Sequence, residues 1–228
     1  MKQLIAILSL FMLMLSCKGQ GKPSYTQKLE FGLKENVKEV TTYFCQVEND
    51  VIPTKTENQI GKATMTFDKK GNVLERKRKW DFGNDKTSEF SNIYSGKGKN
   101  ISFKETARFG NDEPREINFK YVWSDDYNYT VVCLDDKEYV SSITLDKNFL
   151  LIKNQFQKGN EIQYIEEIET NYENDKIKEI KTKNTSNYNK KEEVSHQLQV
   201  VQKYDNKGNP TVIYAYKNEG KKELEQVI

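Results

Sequence analysis

Two patterns of apolar spacing divide this chain. From Leu4 to Leu15 apolar residues run with only Ser9 between them, and no comparable run follows. From Val37 onward, short runs rich in Val, Ile, Thr, Tyr and Phe are separated by clusters of Asn, Asp, Gly and Lys. The breaks recur at roughly 8 to 12 residues, the spacing of meandering antiparallel β structure. Fourteen strands are predicted: Val37–Val47, Lys62–Phe67, Val73–Trp80, Thr87–Tyr94, Ile101–Arg108, Arg115–Trp123, Tyr129–Leu134, Tyr139–Leu145, Phe149–Phe156, Ile162–Tyr172, Ile177–Lys183, Val194–Tyr204, Thr211–Tyr216 and Glu223–Ile228. In several the alternation is clean: Ile117, Phe119, Tyr121 and Trp123 share one face, Asn118 and Lys120 the other. Val194, His196, Leu198 and Val200 likewise form one largely apolar face. One apolar and one polar face per strand suits an antiparallel sheet with a solvated side. The expected fold is all-β, a meander of repeated hairpins forming a large twisted sheet, an open barrel or a sandwich.

Two segments share a distinctive turn. Phe67-Asp68-Lys69-Lys70-Gly71-Asn72 leads into Val73, and Tyr204-Asp205-Asn206-Lys207-Gly208-Asn209 leads into Pro210. Asp accepts backbone N–H groups ahead of it and Gly supplies a positive φ, so Asp68, Gly71, Asp205 and Gly208 are expected to close hairpin loops. Leu145-Asp146-Lys147-Asn148-Phe149 and Tyr172-Glu173-Asn174-Asp175-Lys176-Ile177 read as degraded copies. With these turns the chain resembles a group of Bacteroidetes lipoproteins of uncharacterised function, whose Tyr-Asp-x-x-Gly-Asn hairpins are similar to the YD repeats of RHS proteins. The resemblance covers residues 35–80 and 194–228 best. It implies architecture and location, and brings no catalytic residues.

The first apolar run concerns location. Lys2, the apolar core and Ser16 before Cys17 describe a secretory signal, and Met14-Leu15-Ser16-Cys17 resembles a bacterial lipobox. That resemblance implies cleavage before Cys17, acylation of Cys17 and a mature chain tethered by lipid. The run is too short to span a bilayer, which takes ~20 apolar residues, and stable anchoring takes more than one acyl chain. Lys18 rather than Asp follows the cysteine, with no acidic run behind it; by the sorting pattern of the lipoproteins the chain resembles, that implies the outer membrane and its periplasmic face. The expected organisation is a signal over 1–16, a lipidated Cys and flexible tether over 17–34, and a β-hairpin domain over 35–228. Within the tether, Leu29, Phe31 and Leu33 are apolar enough to tuck onto the domain edge.

Composition narrows the chemistry. Charged residues make up 31% of the chain with a formal net charge of +2, so no electrostatic case exists for nucleic acid. The one basic run, Arg76-Lys77-Arg78-Lys79, lies in a predicted strand and splits into two pairs on opposite faces. Cys45 and Cys133 are expected as buried thiols, a disulfide being the alternative their compartment permits. His196 is the only histidine, and its apolar strand face argues for a packed or rim position rather than a zinc or relay role. Asp125-Asp126 and Asp135-Asp136 lack the spaced oxygen ligands of a calcium loop and read as solvated turns. Glu166, Glu167 and Glu169 offer paired carboxylates, but a solvated strand face explains them more simply. Trp80, Trp123, Tyr127 and Tyr129 are weak candidates for a ligand-stacking surface, core filling being the simpler account. No Gly-rich phosphate loop, metal site or cofactor motif appears.

The functional expectation is therefore a lipid-anchored cell-envelope protein, not an enzyme, acting as a binding or assembly module toward an envelope protein or glycan. An immunity-type protective lipoprotein and an envelope glycan hydrolase using paired carboxylates are the alternatives.

Overall fold

A computed structural model describes residues 24–49, 51–54, 56, 58–83, 86–188, 191–221 and 223–228. The signal peptide and Cys17 lie outside the described residues. Fourteen strands follow one short helix, α1 (Gln27–Glu30). They are β1 (Glu39–Gln46), β2 (Gln59–Phe67), β3 (Val73–Asp81), β4 (Thr87–Lys97), β5 (Asn100–Phe109), β6 (Arg115–Trp123) and β7 (Asn128–Cys133). The second half comprises β8 (Tyr139–Leu145), β9 (Leu151–Lys158), β10 (Glu161–Glu173), β11 (Lys176–Tyr188), β12 (Lys191–Tyr204), β13 (Pro210–Tyr216) and β14 (Leu224–Val227). Each predicted strand overlaps one of these. The main differences in extent are at β11 and β12, which run through the polar stretch after Lys183, where no apolar alternation marks a strand.

Every strand pairs antiparallel with the next, and β14 pairs with β1, so the sheet is a closed barrel. This replaces the open barrel, sandwich or twisted sheet expected from the sequence. Closure rests on few contacts: Cys45 opposite Val227, Gln46 opposite Gln226, and Val47 N–H donating to Glu225 O at 2.9 Å. Because β14 has only four residues, the lower parts of β1 and β13 are not bridged by it.

The period-two alternation decides which side chains face inward. Met65, Arg76, Asn92, Glu105 and Ile117 follow one another around β2–β6 in one inward row. The outward rows carry ion pairs at mid-strand, such as Lys79–Glu89 at 2.9 Å, Lys104–Glu116 at 2.9 Å and Lys183–Glu167 at 3.2 Å. The basic run divides as the alternation requires: Lys77 and Lys79 are exposed outside, while Arg76 and Arg78 are partly buried inside.

The turns at one end meet the segment before β1. The expected flexible tether over 17–34 differs from what is found: from Tyr25 on, the chain is packed against this barrel end. Lys28 N–H donates to Gly71 O at 3.0 Å, and Lys34 N–H to Asn209 Oδ1 at 2.7 Å. The two matched turns have the same geometry. Asp68 accepts from Lys70 N, Asn72 N and Asn72 Nδ2 at 2.8–2.9 Å, and Asp205 accepts from Lys207 N, Asn209 N and Asn209 Nδ2 at 2.8–3.0 Å. Gly71 and Gly208 sit at φ +89° and +86°. At Asp146 the same bonds form to Asn148 N and Leu150 N, with Phe149 taking the positive φ of +66°. The turn at Asn174-Asp175 is a different device, two residues both at positive φ, as in a tight I′ hairpin.

The turn geometry sets an order of costs. Gly71→Val and Gly208→Val should each destabilise by about 1–2 kcal/mol through the positive φ. Gly71→Val should cost the more, because a Cβ there lies 3.1 Å from Thr26 Oγ1, whereas at Gly208 the nearest atom is a flexible lysine carbon at 3.4 Å. Denaturant midpoints of the two variants check this; equal midpoints, or midpoints unchanged from wild type, would contradict it.

Candidate functional site

The densest chemistry lies where the N-terminal segment enters the barrel. Tyr25 and Gln27 are 5% and 2% exposed, so this segment is core rather than linker. The Tyr25 ring sits edge-on to Trp123 at 4.6 Å and to Phe149 at 5.7 Å. Tyr121 and Tyr129 stack at 4.6 Å beneath it, and Trp123 leans on Tyr129 at 4.6 Å. Such aromatic pairs contribute about 0.5–1.5 kcal/mol each beyond the area they bury. Polar groups complete the fit. Gln27 Oε1 accepts Val73 N–H at 3.0 Å, while Gln27 Nε2 donates to Tyr121 O–H at 3.4 Å. The phenols of Tyr25 and Tyr129 both donate to the Glu30 carboxylate, Tyr129 at 3.0 Å to each oxygen.

Glu30 is thus a carboxylate held among phenols at the barrel mouth. Burial pushes its pKa up to about 7, against the hydrogen bonds from Tyr25 and Tyr129 and the nearby Arg76 charge, which act the other way. Burial likewise raises the phenols of Tyr25, Tyr121 and Tyr129, so they stay protonated donors.

Below this plug the interior is polar. Arg78 Nη2 meets Glu105 Oε2 at 3.1 Å, and Asn92 Nδ2 donates to the same oxygen at 2.8 Å. Glu166, on β10, lies on the opposite inner wall; burial raises its pKa, while a hydrogen bond from Asn154 opposes the shift. Among the described residues, five buried side-chain polar atoms lack a hydrogen-bond partner: Arg76 Nε, Arg78 Nε, Asn92 Oδ1, Trp123 Nε1 and Asn154 Oδ1. All five belong to inward-facing residues.

The residues singled out from sequence do not converge on one site. Trp123, Tyr127 and Tyr129 surround Tyr25 and Phe149, and so grip the chain's own N-terminal segment. Trp80 lies near the other end, 4.6 Å from Phe44, lying over Gly61, where a Cβ would come within 2.4 Å of the indole. His196 itself is not packed, although Leu198, two residues on along the same face, is 2% exposed. The imidazole is exposed on the outer wall opposite Lys183, in a shallow groove of about 620 Å³ shared with Glu167 and Glu169. Glu167 there is ion-paired to Lys183, and Glu166 points to the other side of the sheet. Asp125 Oδ1 accepts Tyr127 and Asn128 N–H at 2.7 and 2.8 Å, Asp126 pairs with Lys99 at 2.7 Å, and Asp135 accepts Asn118 N–H at 2.6 Å. Asp125 thus closes its own turn, while Asp126 and Asp135 reach across to Lys99 and Asn118. Cys45 and Cys133 are buried thiols on strands six apart around the barrel.

Sequence reasoning missed Tyr25, Gln27 and Glu30. The available signal was the period-two spacing of Tyr25, Gln27 and Leu29 inside a segment rich in glycine and lysine, a pattern to which Glu30 does not belong. The inward Arg76 and Arg78 were visible only as half of a split basic run. Neither a family model nor a curated protein sequence matches this chain.

The raised Glu30 pKa gives stability a sign. The folded state binds this proton more tightly than the unfolded chain, so the contribution is fully present below the ordinary Glu pKa of about 4.5 and is lost as pH rises through about 7. Wild type should lose at most about 3 kcal/mol from this group between pH 4.5 and 8. Glu30→Gln should flatten that slope and leave the protein at least as stable as wild type at pH 8. Unfolding midpoints of both proteins at pH 5 and pH 8 check it; parallel pH dependences would exclude the role of Glu30.

Proposed function

We propose that this chain is a lipid-anchored envelope protein, of the kind with YD-like hairpins, that acts by binding or assembly rather than catalysis. The observation that carries the proposal is the seating of Tyr25, Gln27 and Glu30 inside the barrel mouth. A lipid on Cys17 is separated from Ser24 by at most about 25 Å of extended chain. Pull on that lipid is therefore transmitted to a packed, hydrogen-bonded element, and the plugged end faces the membrane. The charged outer wall fits a barrel standing in water, since a wall facing lipid carries an apolar band about 25 Å tall. Mid-strand pairs such as Lys104–Glu116 interrupt any such band. The outer membrane, periplasmic side, is the proposed location.

A binding role also accounts for the dispersal of reactive groups. Glu166 faces in, Glu167 and His196 face out, and the two thiols are buried on well-separated strands. Catalysis concentrates acids, bases and nucleophiles about one reacting atom.

Two results test the proposal. Cys17→Ser should release the protein from membranes or leave an uncleaved precursor, and labelling of wild type with a fatty-acid analogue should mark Cys17; unlabelled wild-type protein cut at the same site would refute the anchor. His196→Gln and Glu167→Gln should fold, anchor and support the protein's cellular role as wild type does. Loss of that role in folded, anchored Glu167→Gln would instead favour the glycan hydrolase.

A further inference from the structure

Inside the barrel wall one guanidinium has no partner of its own. Arg76 on β3 faces the interior, yet among the described residues it makes no hydrogen bond and no ion pair, and its Nε is a buried atom without an acceptor. Its neighbours are the Phe31 ring, 5.9 Å away, and the charge of Glu30, whose oxygens are taken by Tyr25 and Tyr129.

The side chains beside it repeat the shortage. Arg78, two residues on along the same face, gives Nη2 to Glu105 and leaves its Nε unbonded. Asn92, directly across from Arg76 on β4, gives Nδ2 to the same carboxylate and leaves Oδ1 unbonded, although the residue is only 3% exposed. Residues two apart on a strand lie ~7 Å apart and directly opposed ones ~5 Å. Two unpartnered donors and one unpartnered acceptor therefore share one small inner patch. The other two unpartnered atoms, on Trp123 and Asn154, belong to β6 and β9 and lie outside it. Burying such groups costs free energy unless a partner is supplied.

There is room beside the patch for a partner. Arg78 and Glu105 keep 30% and 18% of their side chains accessible although both face into a closed ring, whereas Ile101 under the plug keeps 1%. Aromatic faces border the same space. Phe90, opposite Arg78, has that guanidinium 4.7 Å over its ring, and Tyr94, two residues on from Asn92, packs on Phe103 at 5.0 Å. The Tyr94 phenol feels both arginine charges, which oppose the upward push of burial on its pKa. In charge the patch sets two guanidinium groups against Glu105, with Glu30 above them in the plug. Glu166 also faces inward, but from β10 on the far side of the ring, where it is bonded to Asn154.

The unpartnered atoms define the occupant. Guanidinium N–H groups pair best with an oxyanion, which accepts two at once. Asn92 Oδ1 needs a donor on the same molecule, and a hydroxyl supplies one. We infer that Arg76, Arg78 and Asn92 form a binding site inside the barrel for a small hydroxylated oxyanion, an acidic sugar or a phosphate monoester. The inference rests on the binding reading above and deepens it by naming the chemistry of the ligand.

Nuclear magnetic resonance on the isotope-labelled, complete mature chain tests it, with glucuronate, glycerol phosphate, glucose and acetate as probes. Glucuronate or glycerol phosphate should shift the Nε–H signals of Arg76 and Arg78 and the side-chain amide of Asn92 saturably at millimolar concentration, and the tighter of the two names the source. Glucose, which lacks the anion, should leave these signals in place, and acetate, which lacks the hydroxyl, should bind about tenfold more weakly or worse. Arg76→Gln should weaken binding by about tenfold or more, and Arg76→Lys, which keeps the charge without the fork, should also weaken it. Lys77→Gln, on the same strand but the outer face, should bind as wild type does. No saturable shift with either anion would mean an interior that is hydrated only, and would overturn the inference. So would acetate or glucose binding as tightly as glucuronate, or a loss of binding in Lys77→Gln but not in Arg76→Gln, which would put the anion on the outer wall. The wild-type titration decides the matter even where an arginine variant fails to fold. Failure here leaves the lipid anchor standing, since fatty-acid labelling at Cys17 reads that independently.

Discussion

A closed ring of fourteen strands encloses more volume than its own side chains fill. About eight strands make a barrel whose interior side chains pack against one another. A wider barrel must flatten, admit water or borrow mass from elsewhere in the chain. This one borrows. Tyr25, Gln27 and Leu29 enter the mouth, and the largest contiguous core, with Ile101, Tyr121, Tyr129, Leu145 and Phe149, forms around Tyr25. The hairpin turns at that end are held to the same segment, through Gly71 O and Asn209 Oδ1. The plug thus organises the end of the barrel at which those turns lie.

The polar interior follows from the same geometry. Where the plug does not reach, inward positions need not be apolar, and Arg78, Glu105 and Asn92 occupy them as a bonded group. Buried charges of this sort contribute little net stability, since desolvation offsets the attraction, but removing one partner strands the other. Several inward atoms remain without partners, so the interior is specified by polarity and register more than by tight packing. Apolar packing and polar register therefore divide the barrel lengthwise, with cohesion concentrated at the plugged end.

That division bears on function. A lipid on Cys17, as proposed, would act on the most cohesive part of the molecule. The outer groove with His196, Glu167 and Lys183 sits on a different part of the wall, its charges already paired across strands.

Local rules were enough to read the strands and turns. Short runs rich in β-branched and aromatic residues between turn clusters marked the strands, and period-two alternation sharpened several of them. The Asp-Gly turns were legible because their hydrogen bonds close within five residues, as at Asp68 and Asp205. The same alternation placed Arg76 and Arg78 opposite to Lys77 and Lys79. It failed after Lys183, where both faces of the hairpin are polar and no apolar period exists to detect. Closure into a barrel was not legible, since it depends on β1 meeting β14 across nearly the whole chain. Neither was the burial of Glu30 among Tyr25 and Tyr129, nor the exposure of His196. Strand pattern says that two faces differ, but only the closed ring decides which of them is inside.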